Sequence, residues 1–188
     1  FADGAIAFDQ PEVKFELDEN GKPIRVFAKV RTETMLMIED YMLLANKRVA
    51  EFVYKHTKAK GRDAAFVYRI HDVPNPDKIE SLATFLHALG YEFKTQKGVV
   101  EAKDINKLLA EVEGKPEANL IKTATIRSMA KAIYTTDNIG HYGLGFAYYS
   151  HFTSPIRRYP DILVHRLLFD QLQGIKPTIT KEELELIC

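Results

Sequence analysis

The chain has 188 residues, 46% of them hydrophobic and 28% charged, which is enough to bury one sizeable core and requires no more than one domain. Its 26 basic and 26 acidic side chains cancel, which argues against a free-standing nucleic-acid binder driven by bulk charge. A lone cysteine at the last position, Cys188, excludes a disulfide framework and a cysteine-based zinc site.

Taken in chain order, Ala5 to Phe8, Val13 to Leu17 and Ile24 to Ala28 alternate as short strands, and Asn20-Gly21 is a hairpin signal between the last two. Thr34 predicts the N-cap of a long helix over 35–56, with Leu36, Met37, Leu43, Leu44, Ala50 and Phe52 on its apolar side. A polar loop over 57–64 leads into a strand over 65–70. Pro74-Asn75-Pro76-Asp77 introduces a helix over 77–89 that ends at Gly90. Helices over 103–112 and 117–133 follow, the second carrying Leu120, Ile121, Ala124 and Met129. A helix opening at Ser154-Pro155 runs through Leu172 towards Gly174, and Thr180-Lys181-Glu182-Glu183 starts one more. The fold class expected is α+β: antiparallel strands near the N-terminus with several packed helices, free of repeats and low-complexity linkers.

The most informative stretch runs uncharged from Asn138 to Ile156 and then presents Arg157 and Arg158. Its Asn, Gly, Ser, Thr and His residues make it too polar to cross a bilayer. With Ser154 as N-cap and Pro155 at the first helical position, the arginines fall in or beside a first helical turn. Free N–H groups and the positive dipole end already favour an anion there, and a guanidinium fork can hold two phosphate oxygens. Alternatively, the arginines pair with carboxylates such as Asp161 and anchor the loop. Over 120–170 six basic side chains face three acidic ones, whereas the first twenty residues hold six acids against Lys14.

His141-Tyr142-Gly143-Leu144-Gly145 and the run from His151 to Arg166, with its Thr-Ser-Pro-Ile-Arg-Arg-Tyr-Pro-Asp core, closely resemble the signature of the RNB catalytic domain of exoribonucleases, nearest to the bacterial ribonuclease R branch. Three further segments match in family order: Gly4 to Phe8, Met37 to Glu51, and Tyr68-Arg69-Ile70-His71-Asp72 before Pro74. The resemblance implies a processive 3′→5′ exoribonuclease that hydrolyses single-stranded RNA to nucleoside 5′-monophosphates, cytoplasmic, without membrane contact and monomeric. It also implies Mg²⁺, held by closely spaced aspartates in the first half of the RNB domain. This chain has no Asp-x-Asp-Asp arrangement, and Asp18-Glu19 and Glu39-Asp40 read as a turn and a helix start. Residues 1–188 therefore read as an excised C-terminal half of the domain, lacking cold-shock and S1 domains and inactive alone. A non-catalytic RNA-binding relative and a purely structural fragment are the alternatives.

By the resemblance, Arg157 is catalytic, contacting the phosphate at the cleaved end, and Arg158 supports the loop or a neighbouring phosphate. Glu39 would accept hydrogen bonds from the terminal ribose, although an acid in a helix's first turns also suits the dipole. Phe8 would stack the last base, although an aromatic ending a strand also suits a core. His151 and His165 fit structural roles better than Mg²⁺ ligation, because that hard cation prefers oxygen. Tyr142, Phe146, Tyr148, Tyr149 and Phe152 line a single-strand channel or fill a core. Ser154 with His151 makes a poor nucleophile pair, lacking an acidic orienter.

Overall fold

A computed structural model describes residues 4–6, 8, 13–59, 65–95 and 99–188. Strands β1 (Val13–Leu17) and β2 (Pro23–Ala28) form an antiparallel hairpin with both faces exposed. Asp18 organises its turn: Oδ1 accepts the N–H groups of Asn20 and Lys22 at 2.9 and 2.8 Å, while Gly21 takes φ +79°. Ala5, Ile6 and Phe8 are not in a strand, contrary to the alternation in that segment. The Ile6 N–H donates to Gly143 O and the Ala5 carbonyl accepts from Asn106, so tertiary partners replace a ladder.

Helix α1 (Glu33–Ala59) begins earlier than expected, because Thr32 rather than Thr34 caps it through the Met35 N–H. Its buried stripe is Asn46, Ala50, Val53 and Thr57, and of the six residues expected on the apolar side only Ala50 is buried. Met35, Met37, Ile38 and Tyr41 in its first half are exposed.

Beyond α1 the fold has two cores. The first gathers α2 (Pro76–Ala88), α3 (Ala102–Val112) and α4 (Ala118–Ser128) around Ile79, Leu86, Ile105 and Ile121. Asn75 caps α2 by accepting the Asp77 N–H at 2.8 Å, as the Pro-Asn-Pro-Asp run predicts. The second packs Ala50 and Val53 of α1 against Phe66, Val67 and β3 (Tyr68–Ile70), with α5 (Tyr159–Gln173) and α6 (Lys181–Glu185) closing it through Val164 and Leu184. Thr180 caps α6 in a reciprocal box with Glu183.

Strand β4 (Ile133–Thr135) pairs antiparallel with β3 and begins at Ile133, the last residue of the helix expected over 117–133. Helix α4 ends instead at Ser128, whose hydroxyl bonds back to Thr125 O, and Met129 is extended. Glu185 of α6 clasps the end of β4, accepting Thr135 Oγ1, Thr136 N and Thr136 Oγ1 at 2.9, 2.6 and 2.6 Å. The α+β class holds, with two separate two-stranded sheets among the described residues.

Candidate functional site

The segment after β4 runs between the two cores, and its glycines and histidines explain how. The Gly143 N–H donates to His71 Nδ1 at 3.0 Å, so His71 carries its ring proton on Nε2, which reaches Ala130 O at 2.9 Å. A Cβ at position 143 would lie 2.7 Å from that Nδ1, so the contact requires glycine. His141 then caps a short 3-10 turn, Tyr142–Leu144, by accepting the Leu144 N–H. Burial, reinforced by the neighbouring His71, pushes His141 down to about 4.

Residues 150–158 form a turn held by several elements. Ser150 Oγ donates to Val67 O at 2.6 Å, and His151 Nδ1 bonds Tyr134 OH at 2.7 Å. Asn46 of α1 accepts the N–H groups of Phe152 and Thr153 at 2.9 and 3.2 Å. His165 Nε2 bonds Phe152 O, with the two rings stacked 4.1 Å apart. The Ser154 N–H donates to Asp161 Oδ1 at 2.7 Å, and Arg158 Nη2 reaches the same oxygen at 2.8 Å. Asp161 is fully buried and Arg158 21% exposed, yet the pairing is single-point: Arg158 Nε and Asp161 Oδ2 are buried without partners. Burial, then the Arg158 charge, pushes His151 down to about 4 as well.

This arrangement moves the helix start. Ser154 does not cap α5; its carbonyl closes a turn with the N–H groups of Arg157 and Arg158 at 3.3 and 3.1 Å. Arg158 breaks to an extended conformation at the N-cap, and Pro160 occupies the first turn of α5. The two arginines thereby separate. Arg158 turns inward to Asp161, the anchoring alternative, whereas Arg157 is exposed and makes only a 3.4 Å contact with Ser154 Oγ of its own turn. Ile156 beside it is wholly exposed.

Glu39 sits in the second turn of α1 rather than at its start, 45% exposed and ion-paired with Arg31. Phe8 is half-buried against the first core. His165 and the stacked Phe152 are structural supports of the turn, and Tyr149 is buried beneath it, its hydroxyl pushed up by burial. Sequence reasoning assigned no role to Asn46 or Tyr134, both of which hold the turn. The available signal is an amide in register with Ala50 and Val53 on one helical face. Among the described residues no three His, Cys, Asp or Glu side chains could hold a metal ion. They do not fit the Mg²⁺ that the resemblance implies. No helix among the described residues is long and apolar enough to cross a membrane.

Residues 1–174 match the RNB domain family. The chain is 42% identical over 171 residues to ribonuclease R of Aquifex aeolicus, covering 91% of this chain and 23% of that one. It is 40% identical over 166 residues to ribonuclease R of Thermotoga maritima, covering 88% and 22%. The chain therefore spans less than a quarter of the length of these curated relatives. Among solved structures, Mycoplasma genitalium RNase R in complex with double-stranded RNA matches with a TM-score of 0.81 at 30% identity, covering 99% of this chain and 32% of that one. The same RNase R in complex with ribose-methylated single-stranded RNA matches at 0.80 and 30%, covering 99% and 28%. Yeast Ssd1, a pseudonuclease, matches at 0.68 and 26%, covering 84% and 19%.

Proposed function

Because the chain belongs to the RNB domain family, we propose that it is the half of a ribonuclease R-type 3′→5′ exoribonuclease domain that holds the RNA end. The parent hydrolyses the terminal phosphodiester: water adds to phosphorus, the bond to the penultimate 3′-oxygen breaks, and a nucleoside 5′-monophosphate leaves. Arg157 is the catalytic residue of this half. Its guanidinium contacts the non-bridging phosphate oxygens and stabilises the charge that grows on them.

One observation carries the reading. The turn from Ser150 to Arg158 is hydrogen-bonded at six residues to β3, β4, α1 and α5 or the segments beside them, while Arg157 is exposed. A cation on a fixed turn, exposed and with one 3.4 Å contact to Ser154 Oγ at its tip, is pre-organised for an anion. Arg158 serves the same end indirectly, by locking the turn to Asp161. Glu39 accepts the terminal ribose hydroxyls after exchanging its partner Arg31, and Phe8 stacks the last base in single-stranded RNA. In this reading Mg²⁺ is bound by the part of the relatives that this chain does not span, and residues 1–188 alone do not hydrolyse RNA.

The test is shortening of a 5′-labelled single-stranded RNA in Mg²⁺ by a full-length ribonuclease R carrying this chain. Activity there, none from the 188 residues alone, and a fall of roughly 10²- to 10³-fold on Arg157→Ala are expected. Metal-dependent shortening by the 188-residue chain, or an indifferent Arg157→Ala, would overturn the assignment. The likeness to the pseudonuclease Ssd1 favours a second reading, a non-catalytic RNA-binding relative. RNA binding without shortening by the full-length protein would select it.

A further inference from the structure

We infer that Asn46 is a positioning residue that sets where the arginine turn stands relative to Glu39. The inference rests on the reading of Arg157 and Glu39 as contacts to the RNA end. Asn46 lies inside a helix, where asparagine is a poor helix former, and it is 3% exposed. All three of its side-chain bonds go more than a hundred residues along the chain: from Phe152 N and Thr153 N to Oδ1, and from Nδ2 to Tyr149 OH at 3.1 Å. The amide orientation is determined, because two backbone N–H groups can face only the oxygen. The turn is thus hung from one side chain two and one residues ahead of Ser154, whose N–H Asp161 holds in turn.

Glu39 lies seven residues before Asn46 on the same helix, which holds neither Gly nor Pro from Glu33 to Ala59. Seven residues fall about 20° short of two full turns, so both side chains leave one face of a stiff rod, roughly 10.5 Å apart along its axis. Movement at Asn46 changes the spacing between the group read as holding the ribose and the group read as holding the phosphate. A displacement of about 1 Å in such a pair lowers a rate on the order of 100-fold without abolishing binding. A buried amide kept for stability alone would not behave so.

The experiment compares Asn46→Ala, Asn46→Asp, Arg157→Ala and the Asn46→Ala/Arg157→Ala double variant in a full-length ribonuclease R carrying this chain. It uses single-stranded RNA, with thermal melts alongside. Asn46→Ala is expected to lower kcat on the order of 10- to 100-fold with little change in KM. Asn46→Asp, which keeps an oxygen for both N–H groups, restores most of kcat. In the Arg157→Ala background Asn46→Ala costs little more, because the cation it positions is gone. If Asn46→Ala melts below the assay temperature, Asn46→Gln, with the same groups one methylene further out, takes its place with the same expectation. Full activity of Asn46→Ala beside an impaired Arg157→Ala overturns this inference and leaves the reading of Arg157 standing. Equal losses for Ala and Asp, or additive losses with Arg157→Ala, also overturn it. An unaffected Arg157→Ala overturns the reading itself, and this inference with it.

Discussion

Replacing Asp161 with alanine removes the one carboxylate oxygen that both the Ser154 N–H and the Arg158 guanidinium share. Breaking a buried ion pair from one side costs about 3–5 kcal/mol, because the remaining charge is stranded. Two features select the lower end. Arg158 is 21% exposed, so water recovers part of its solvation, and the pair is made through a single nitrogen rather than a fork. The expected loss is about 3 kcal/mol, or roughly 6–12 °C in Tm for a chain of this size. Urea unfolding of the 188-residue chain followed by circular dichroism measures it. Adding Arg158→Ala to Asp161→Ala should recover part of the loss, since no stranded cation remains. A change in stability below about 0.5 kcal/mol for Asp161→Ala, the range of ordinary surface substitutions, would refute the reasoning. The turn would then be held by Asn46, Tyr134 and His165 without the acid.

Gly143→Ala would set a methyl 2.7 Å from His71 Nδ1 and push apart the contact that orients both. It should cost about 1–3 kcal/mol in urea unfolding, and an unchanged midpoint would mean that the backbone gives way freely. Both His141 and His151 are held down to about 4 against an ordinary 6.5. Between those values the unfolded chain binds protons that the folded chain refuses, so stability is full above pH 6.5 and falls as the pH drops towards 4. Glu185, whose hydrogen bonds to Thr136 hold it below its usual 4.5, loses its contribution only at lower pH, so the window from 6.5 to 5 isolates the imidazoles. A urea midpoint independent of pH across that window would contradict their burial.

Much of the chain was legible from local chemistry. Asn75-Pro76, Thr180 with Glu183, and Gly21 each perform the capping or turn role that their residue type suggests. The misplaced features share a different cause, competition from distant partners. Ser154-Pro155 has the residue types of a helix entry, and a serine cap contributes about 1 kcal/mol. The burial of Asp161 against Ser154 N and Arg158 outweighs it and moves the start of α5 to Tyr159. Strand β4 is three residues long, too short for alternation to register, and exists because β3 offers it an edge. The stripe of α1 runs through Asn46 and Thr57, polar residues that hydropathy places on the wrong side. At the site, Arg157 was found by motif, but its separation from Arg158 depends on which of two adjacent guanidinium groups reaches Asp161, a matter of three dimensions.

The family model matches residues 1–174, whereas the second core extends past that boundary. Leu184 is wholly buried in it and Glu185 satisfies three donors at the end of β4. A truncation drawn after residue 174 would open that core and leave Thr135 and Thr136 unclasped. Tyr134, one residue earlier, would lose the neighbour that steadies its grip on His151. For this chain, the span matched by the family model and the length that must fold together are different quantities. The last fourteen residues lie past the first and belong to the second.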